Sequence, residues 1–578
     1  MVAAQPGDNL QGDGKVARSI LTYNDLFSKA SPSGPVDDSA FAVPQNAAMP
    51  TQVFEGRLDL TPGKGGGFKT VRDDFAYTLL GDSQWKHLPD LSLQFVQNRS
   101  QLIPERQGLV ITGNPSWNYI VGPGRVWRED GDKGYMRASF PLALVERNQN
   151  CVHNGSMTFL FSASATPNIS RVRYQITQET CLYLKFDMWG QAAAKYTPSE
   201  IPDAAKLKEA HAEELANRLP VKPISELPGV DWTAFTNAYK SPKDITVYGA
   251  YVNGVNYVSN CRTRHGYYAF CENMRLPSFS TAKSAFSGLA LLHLGQLYGS
   301  DVYSYLVKDY VPEFADGGDW SKVTFGNTSD MSTGNYLTSL FFGDEYSPQE
   351  SLFQRTEDYA PKIADAFSLF PHRSAPGSVW VYQTHASFIL TQAMNGYLRS
   401  RAGEAADIFN KLRDDVFVPL HISQGGLTTL RTDDSPTGHP IGSYGLFFIA
   451  DDVAKIGKLL NNDRGVVAGT RVLEPGRLQE ILSGSRTLQV PDYGLVAVRN
   501  TMRYHSEFWG KNMTAAEFPQ YGCSFYVPFM SGYGGISIVF LPDGATFYLF
   551  SDNNEFEWYG AANELNKVRP VCPAGYAR

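Results

Sequence analysis

The 578-residue chain has no uninterrupted apolar stretch approaching the roughly 20 residues that a membrane-spanning helix needs. Its first residues, MVAAQPGDNLQGDG, lack the basic-then-apolar pattern of a secretory leader. That fits a cytosolic chain, or a secreted one whose leader has been removed. There is no C-x-x-C pair, no H-E-x-x-H and no phosphate-binding loop of Walker type, so neither a metal nor a cofactor is expected. There is also no G-x-S-x-G nucleophile elbow. The stretch GKGGG (63–67) has the wrong spacing for a phosphate loop. A net charge of -7 disfavours nucleic acid as a partner.

What is present is a large soluble composition, 43% hydrophobic and 19% charged, long enough for several domains. The six cysteines fall into three sequence neighbours. The simplest pairing is Cys151–Cys181, Cys261–Cys271 and Cys523–Cys572, which implies an oxidising, secreted or periplasmic location; six free thiols is the alternative.

Residues 1–50 are rich in Pro, Ala, Ser and Gly and read as an extended arm. Residues 51–200 carry short alternating runs such as SMTFLFSAS, RVRYQITQ and CLYLKFDMWG, which predict a β-rich N-terminal domain, a sandwich or a similar antiparallel unit. Residues 201–244 read as a charged helix followed by a proline-rich linker. Residues 245–578 read as a strand, then helices near 300–315, 349–370, 386–417 and 450–462, then strands again. The two ends of that region are expected to share one sheet.

Two Ser-x-x-Lys stretches occur: Ser83-Gln84-Trp85-Lys86 in a polar context, and Ser280-Thr281-Ala282-Lys283 at the head of an apolar helix. In the second, residues three apart share a helix face, so hydroxyl and amine can touch. The helix N-terminus favours negative charge developing at Ser280. Desolvation favours the neutral amine of Lys283, which can then act as a base. The bland reading is a capping serine and a lysine that reaches back to water.

Further segments weigh on that choice. APGSVWVYQTHASFILTQAM (375–394) has Pro-Gly leading to Tyr382, with Thr384 two residues on and an apolar helix after it. MSGYGGISIVFLPDG (530–544) has Tyr533-Gly534-Gly535 entering a strand. DWSKVTFGNTSDMSTGNY (319–336) and GHPIGSYGLFFIADDVAKIGKLL (438–460) lie between in matching order. Together with Ser280 and Lys283 these resemble the serine β-lactamase and penicillin-binding-protein superfamily. The similarity is to its class C β-lactamase-like branch, which includes family VIII carboxylesterases and 6-aminohexanoate-oligomer hydrolases.

The resemblance covers roughly 245–560 and implies an α/β (α+β) catalytic domain: an antiparallel sheet flanked by helices, appended to the N-terminal β-rich domain. It implies that Ser280 is the nucleophile and that Lys283 and Tyr382 are its acid/base pair, the positive charge of Lys283 helping the phenol to ionise. It implies an oxyanion hole of the Ser280 and Ile536 N–H groups. Thr384, where many members have asparagine, and His385, Tyr533, Gly534 and Gly535 would contact substrate, the two glycines letting it lie against the strand. Tyr533 stands where class C enzymes have the lysine of Lys-Thr-Gly. That disfavours anionic substrates and favours a carboxylesterase acting on a small-molecule or oligomeric ester. The alternatives are an amidase or peptidase on small amides, oligomers, peptidoglycan-type or β-lactam substrates, and a catalytically retired binding or sensor protein.

Overall fold

The structure is a computed structural model that describes residues 9–63, 66–237, 241–314, 317–490 and 501–572. Lys64 and Gly65 of GKGGG therefore lie outside the described residues.

The alternating runs of the N-terminal part form eight main strands: β1 (Gly56–Pro62), β2 (Leu91–Asn98), β3 (Gln101–Pro104), β4 (Gly124–Arg128), β5 (Met136–Glu146), β6 (Val152–Ser162), β7 (Val172–Thr180) and β8 (Leu184–Pro198). Each pairs antiparallel with the next, and β8 returns to pair with β1 through Leu58↔Tyr196 and its neighbours. The unit is thus a closed up-and-down ring rather than a sandwich. A period of two serves both architectures, so alternation cannot separate them. The 15-residue β8 closes the ring: its middle pairs with β7 and its last half with β1. Aromatic rings meet inside it, with Phe54 5.0 Å from Phe161, 5.5 Å from Phe159 and 6.2 Å from Phe95.

The arm binds the outside of this unit through polar anchors. Arg18 pairs with Glu129 at 2.7 Å, Arg173 donates to the Gly34 carbonyl and Trp189 to that of Pro32. The connector helix α1 (Ala204–Ala216) meets both halves of the chain. Its Ala204 and Leu207 pack with Val96 and Ile103 of the ring, and its buried Glu214 accepts from Arg218 and from the Gln424 N–H.

The second sheet runs in the order Val221–Pro223, β10 (Val255–Val258), β9 (Ile245–Val252), β15 (Thr546–Ser551), β14 (Ile536–Phe540), β13 (Phe525–Gly532), β12 (Phe508–Met513), β11 (Met502–His505), Leu488–Gln489. All pairings but the first are antiparallel. The early strand and the late sheet do meet, at β9 and β15. The described helices include α2 (Leu289–Tyr298), α3 (Thr384–Ala402), α4 (Ala450–Asn461) and α5 (Tyr559–Val568). α4 lies close on the sheet because Gly457 has no side chain: a Cβ there would come within 2.6 Å of Thr546. Where a helix near 300–315 was expected, residues 300–314 form short 3-10 turns. Pro312 and the polar Ser300-Asp301 favour turns over a continuous helix there.

All three nearest-neighbour cysteine pairs are bonded. No helix of the described residues is long and apolar enough to cross a membrane.

Candidate active site

Ser280 sits where a strand-like segment turns into a helix. Phe279, the residue before it, has φ of 41°, a left-handed conformation that costs a non-glycine residue energy and persists only where its surroundings hold it. Residues Lys283–Gly288 form a π-helical turn that continues into α2. Ser280 is partly exposed, whereas Lys283 behind it is buried. Lys283 Nζ lies 2.8 Å from Ser280 Oγ and 2.9 Å from Thr384 Oγ1. The sequence spacing of three has thus brought hydroxyl and amine into contact.

Burial lowers the Lys283 pKa, while the carboxylates of Glu345, Glu507 and Glu350 act to raise it. The net direction is down, so a neutral amine is accessible and the 2.8 Å contact can serve a hydroxyl donating to nitrogen. Thr384, the first residue of α3, accepts from Lys283 and donates to Glu345 Oε1 at 2.6 Å, while its N–H donates to Glu345 Oε2 at 2.9 Å. A hydroxyl can accept and donate at once, so threonine links the lysine to a carboxylate.

Tyr382 is buried over this pair, with Lys283 Nζ 4.9 Å from its ring centroid. Phe342 and Trp509 pack on it at 4.8 and 5.4 Å. Its phenol is held well above the ordinary value, first by burial and then by the Glu345 charge; a hydrogen bond with Ser280 pulls the other way. The expectation that Lys283 would ionise this phenol is therefore corrected: burial and the Glu345 and Glu507 charges raise its pKa, and Tyr382 rests protonated.

Two carboxylates stand out that sequence reasoning missed. Burial pushes Glu345 up to about 7 and Glu507 up to about 8. Glu507 accepts from Ser387 at 2.9 and 3.0 Å and from Tyr504 at 2.9 Å. It lies in the tight turn between β11 and β12, where Ser506 and Glu507 both have positive φ (48° and 68°). No local pattern marks either glutamate.

His385 is placed elsewhere than expected. It is fully buried, its Nδ1 is 2.6 Å from Glu350, and its ring stacks on Phe370 at 3.9 Å. It packs behind the site and offers no face to substrate.

The Tyr533-Gly534-Gly535 stretch is the turn between β13 and β14. Tyr533 is half-buried between Phe279, 5.7 Å away, and Tyr183 of the ring unit, 6.3 Å away. Gly534 and Gly535 have φ of 87° and 109°, which only glycine adopts freely. A Cβ on Gly535 would fall 2.1 Å from Ser551 Oγ, so that space is filled by protein rather than open to substrate.

The Ile536 N–H is also differently engaged. The Ser551 N–H donates to the Gly535 carbonyl, across to β15. Backbone groups alternate sides along a strand, so Ile536 turns its N–H toward Gly532 of β13, its partner in the ladder. It is not free for an oxyanion. The same alternation turns the Ser531 N–H off the other edge of β13. There β12 no longer pairs, because the last matched residues are Trp509 and Phe529. This edge runs beside the serine's turn, where a Cβ on Gly532 would come 2.8 Å from the Ser278 carbonyl. Among the described residues no protein acceptor takes the Ser280 N–H.

No family model and no curated protein matches the chain. Several solved structures do. A protein named as a 6-aminohexanoate-dimer hydrolase, from Bacillus anthracis, is 18% identical with a TM-score of 0.43, over 61% of this chain and 86% of that one. A D-stereospecific amidohydrolase from Streptomyces sp. is 14% identical with a TM-score of 0.40, over 58% and 96%. The D-alanine carboxypeptidase AmpC from Burkholderia cenocepacia is 11% identical with a TM-score of 0.39, over 63% and 99%. With these TM-scores below 0.5, the chemistry of the site rests on its own geometry.

Proposed function

We propose that the chain is a serine hydrolase that cleaves neutral carboxylic esters through an acyl-enzyme on Ser280. One observation carries the reading: a partly exposed serine whose hydroxyl lies 2.8 Å from the amine of a buried lysine, its pKa lowered by that burial. Ser280 Oγ attacks the carbonyl carbon as its proton passes to Lys283 Nζ. The oxyanion sits between the Ser280 and Ser531 N–H groups. Tyr382 gives its proton to the departing oxygen, and the Lys283 ammonium restores it. Water then attacks the acyl-enzyme, giving its proton to Lys283, and as the adduct collapses the Lys283 ammonium passes that proton to the departing Ser280 Oγ, which restores both groups and releases the acid.

The neutral substrate follows from the walls. Phe342 and Trp509 pack on Tyr382, and Phe279, the residue before the serine, packs on Tyr533; Tyr533 brings no positive charge to hold a carboxylate. The three disulfides fit an oxidising compartment, secreted or periplasmic.

A second reading, amide cleavage, is favoured by one feature. A phenol kept protonated by burial and Glu345 suits the departure of an amine, which needs a proton more than an alcohol does. Matched ester and amide substrates separate the two. A higher kcat/KM on the ester is expected; a preference for the amide would replace the first reading with the second.

A further inference from the structure

Asn150 belongs to the ring unit, in the turn between β5 and β6, next to Cys151. Its side chain is buried and reaches the strained turn that precedes Ser280. Asn150 Oδ1 accepts the Phe279 N–H at 2.6 Å, the Ser278 hydroxyl at 3.0 Å and the Gly445 N–H at 3.0 Å. The Ser278 hydroxyl in turn accepts the Leu446 N–H at 3.0 Å. One carboxamide oxygen thus gathers three donors from two separate loops.

The Phe279 contact matters most. Its φ of 41° is unfavourable for a residue with a side chain, and its N–H is buried. Without Asn150 that N–H loses its acceptor, and the chain gains a reason to relax toward negative φ. Such a relaxation turns the next residue, Ser280, away from Lys283. The disulfide to Cys181 fixes the same edge of the ring, and Leu182 and Tyr183 beyond it back onto Gly534 and Tyr533.

We infer that Asn150 is a positioning residue for the nucleophile, and that the N-terminal ring unit is a working part of the active site. This rests on Ser280 being the nucleophile, and not on the choice between ester and amide.

The test uses the full chain with Asn150→Ala and Asn150→Asp. A misplaced nucleophile costs about 100-fold in rate. The expectation for N150A is a kcat about 100-fold lower with KM within about threefold, and an equally slowed reaction of Ser280 with a fluorophosphonate. N150D keeps an acceptor oxygen and is expected to recover to within about tenfold of wild type. If N150A does not fold, Asn150→Ser, too short to bridge the three donors, carries the same expectation. A folded N150A or N150S that labels as fast as wild type would overturn the role alone, as would an N150D as slow as N150A. A wild type that does not label at Ser280 would overturn the nucleophile and this role together.

Discussion

The same four-residue spelling occurs twice, and its two copies show what turns spacing into chemistry. Ser83 sits at the head of a three-residue 3-10 turn, and its hydroxyl donates to the Tyr77 carbonyl at 2.5 Å. Lys86 ends that turn, half-buried at the surface. Ser280 leads into a helix, its hydroxyl meets Lys283, and the lysine is buried beside Thr384. In the first copy the hydroxyl is already occupied by a backbone acceptor and water can reach the amine. In the second, desolvation changes the amine and leaves the hydroxyl to it. The difference lies in surroundings contributed by residues far away in sequence.

The largest effect expected is from Ser280→Ala, which should lower kcat/KM more than about 10⁴-fold and abolish fluorophosphonate labelling. Ser83→Ala should change neither. Equal losses in both variants, read by ester hydrolysis and adduct mass, would erase the contrast. Next, Lys283→Met should lower kcat about 10³-fold, the scale of a lost general base, while Lys86→Met stays within about twofold. Thr384→Val, which breaks the link from Lys283 to Glu345, should cost about tenfold in kcat with the chain still folded by circular dichroism.

The smallest effect concerns stability. Glu507 has a folded pKa of about 8, above the ordinary carboxylate value, so the native state binds the extra proton between those two values. Stability must then fall as pH rises through that window. Glu507→Gln removes the slope. Its unfolding midpoint should exceed wild type by a few °C at about pH 9 and match it at about pH 4. A higher midpoint at both would mean that something other than the proton is responsible.

Much of this contrast could be read from the chain. Ser280 precedes a run of small and apolar residues, while Ser83 does not, and helical spacing alone put Lys283 within reach. The cysteine pairs followed from proximity in sequence. What could not be read depends on register and on long-range contact. Whether Ile536 or Ser531 presents a free N–H is settled by which side of β13 and β14 is paired, a one-residue matter. Glu345, Glu507 and Asn150 approach the site from separate loops with no periodic signal. His385 stands beside two residues of the site in sequence, yet the first turn of α3 swings it to the opposite side, toward Glu350. Closure of the N-terminal strands into a ring depends on β8 pairing with β1 across more than a hundred residues.

The π-helical turn at Lys283–Gly288 has a consequence for how this chain can vary. A π turn holds one residue more than the α turn it replaces. Deleting a single residue there would close the turn to ordinary α geometry while the residues on either side kept their facing, because the wider turn is what absorbs the extra residue. The same deletion in the α-helical part of α2 would rotate everything before it by about 100° relative to everything after it. A one-residue change of length is therefore open to this chain at the π turn in a way that it is not farther along the helix.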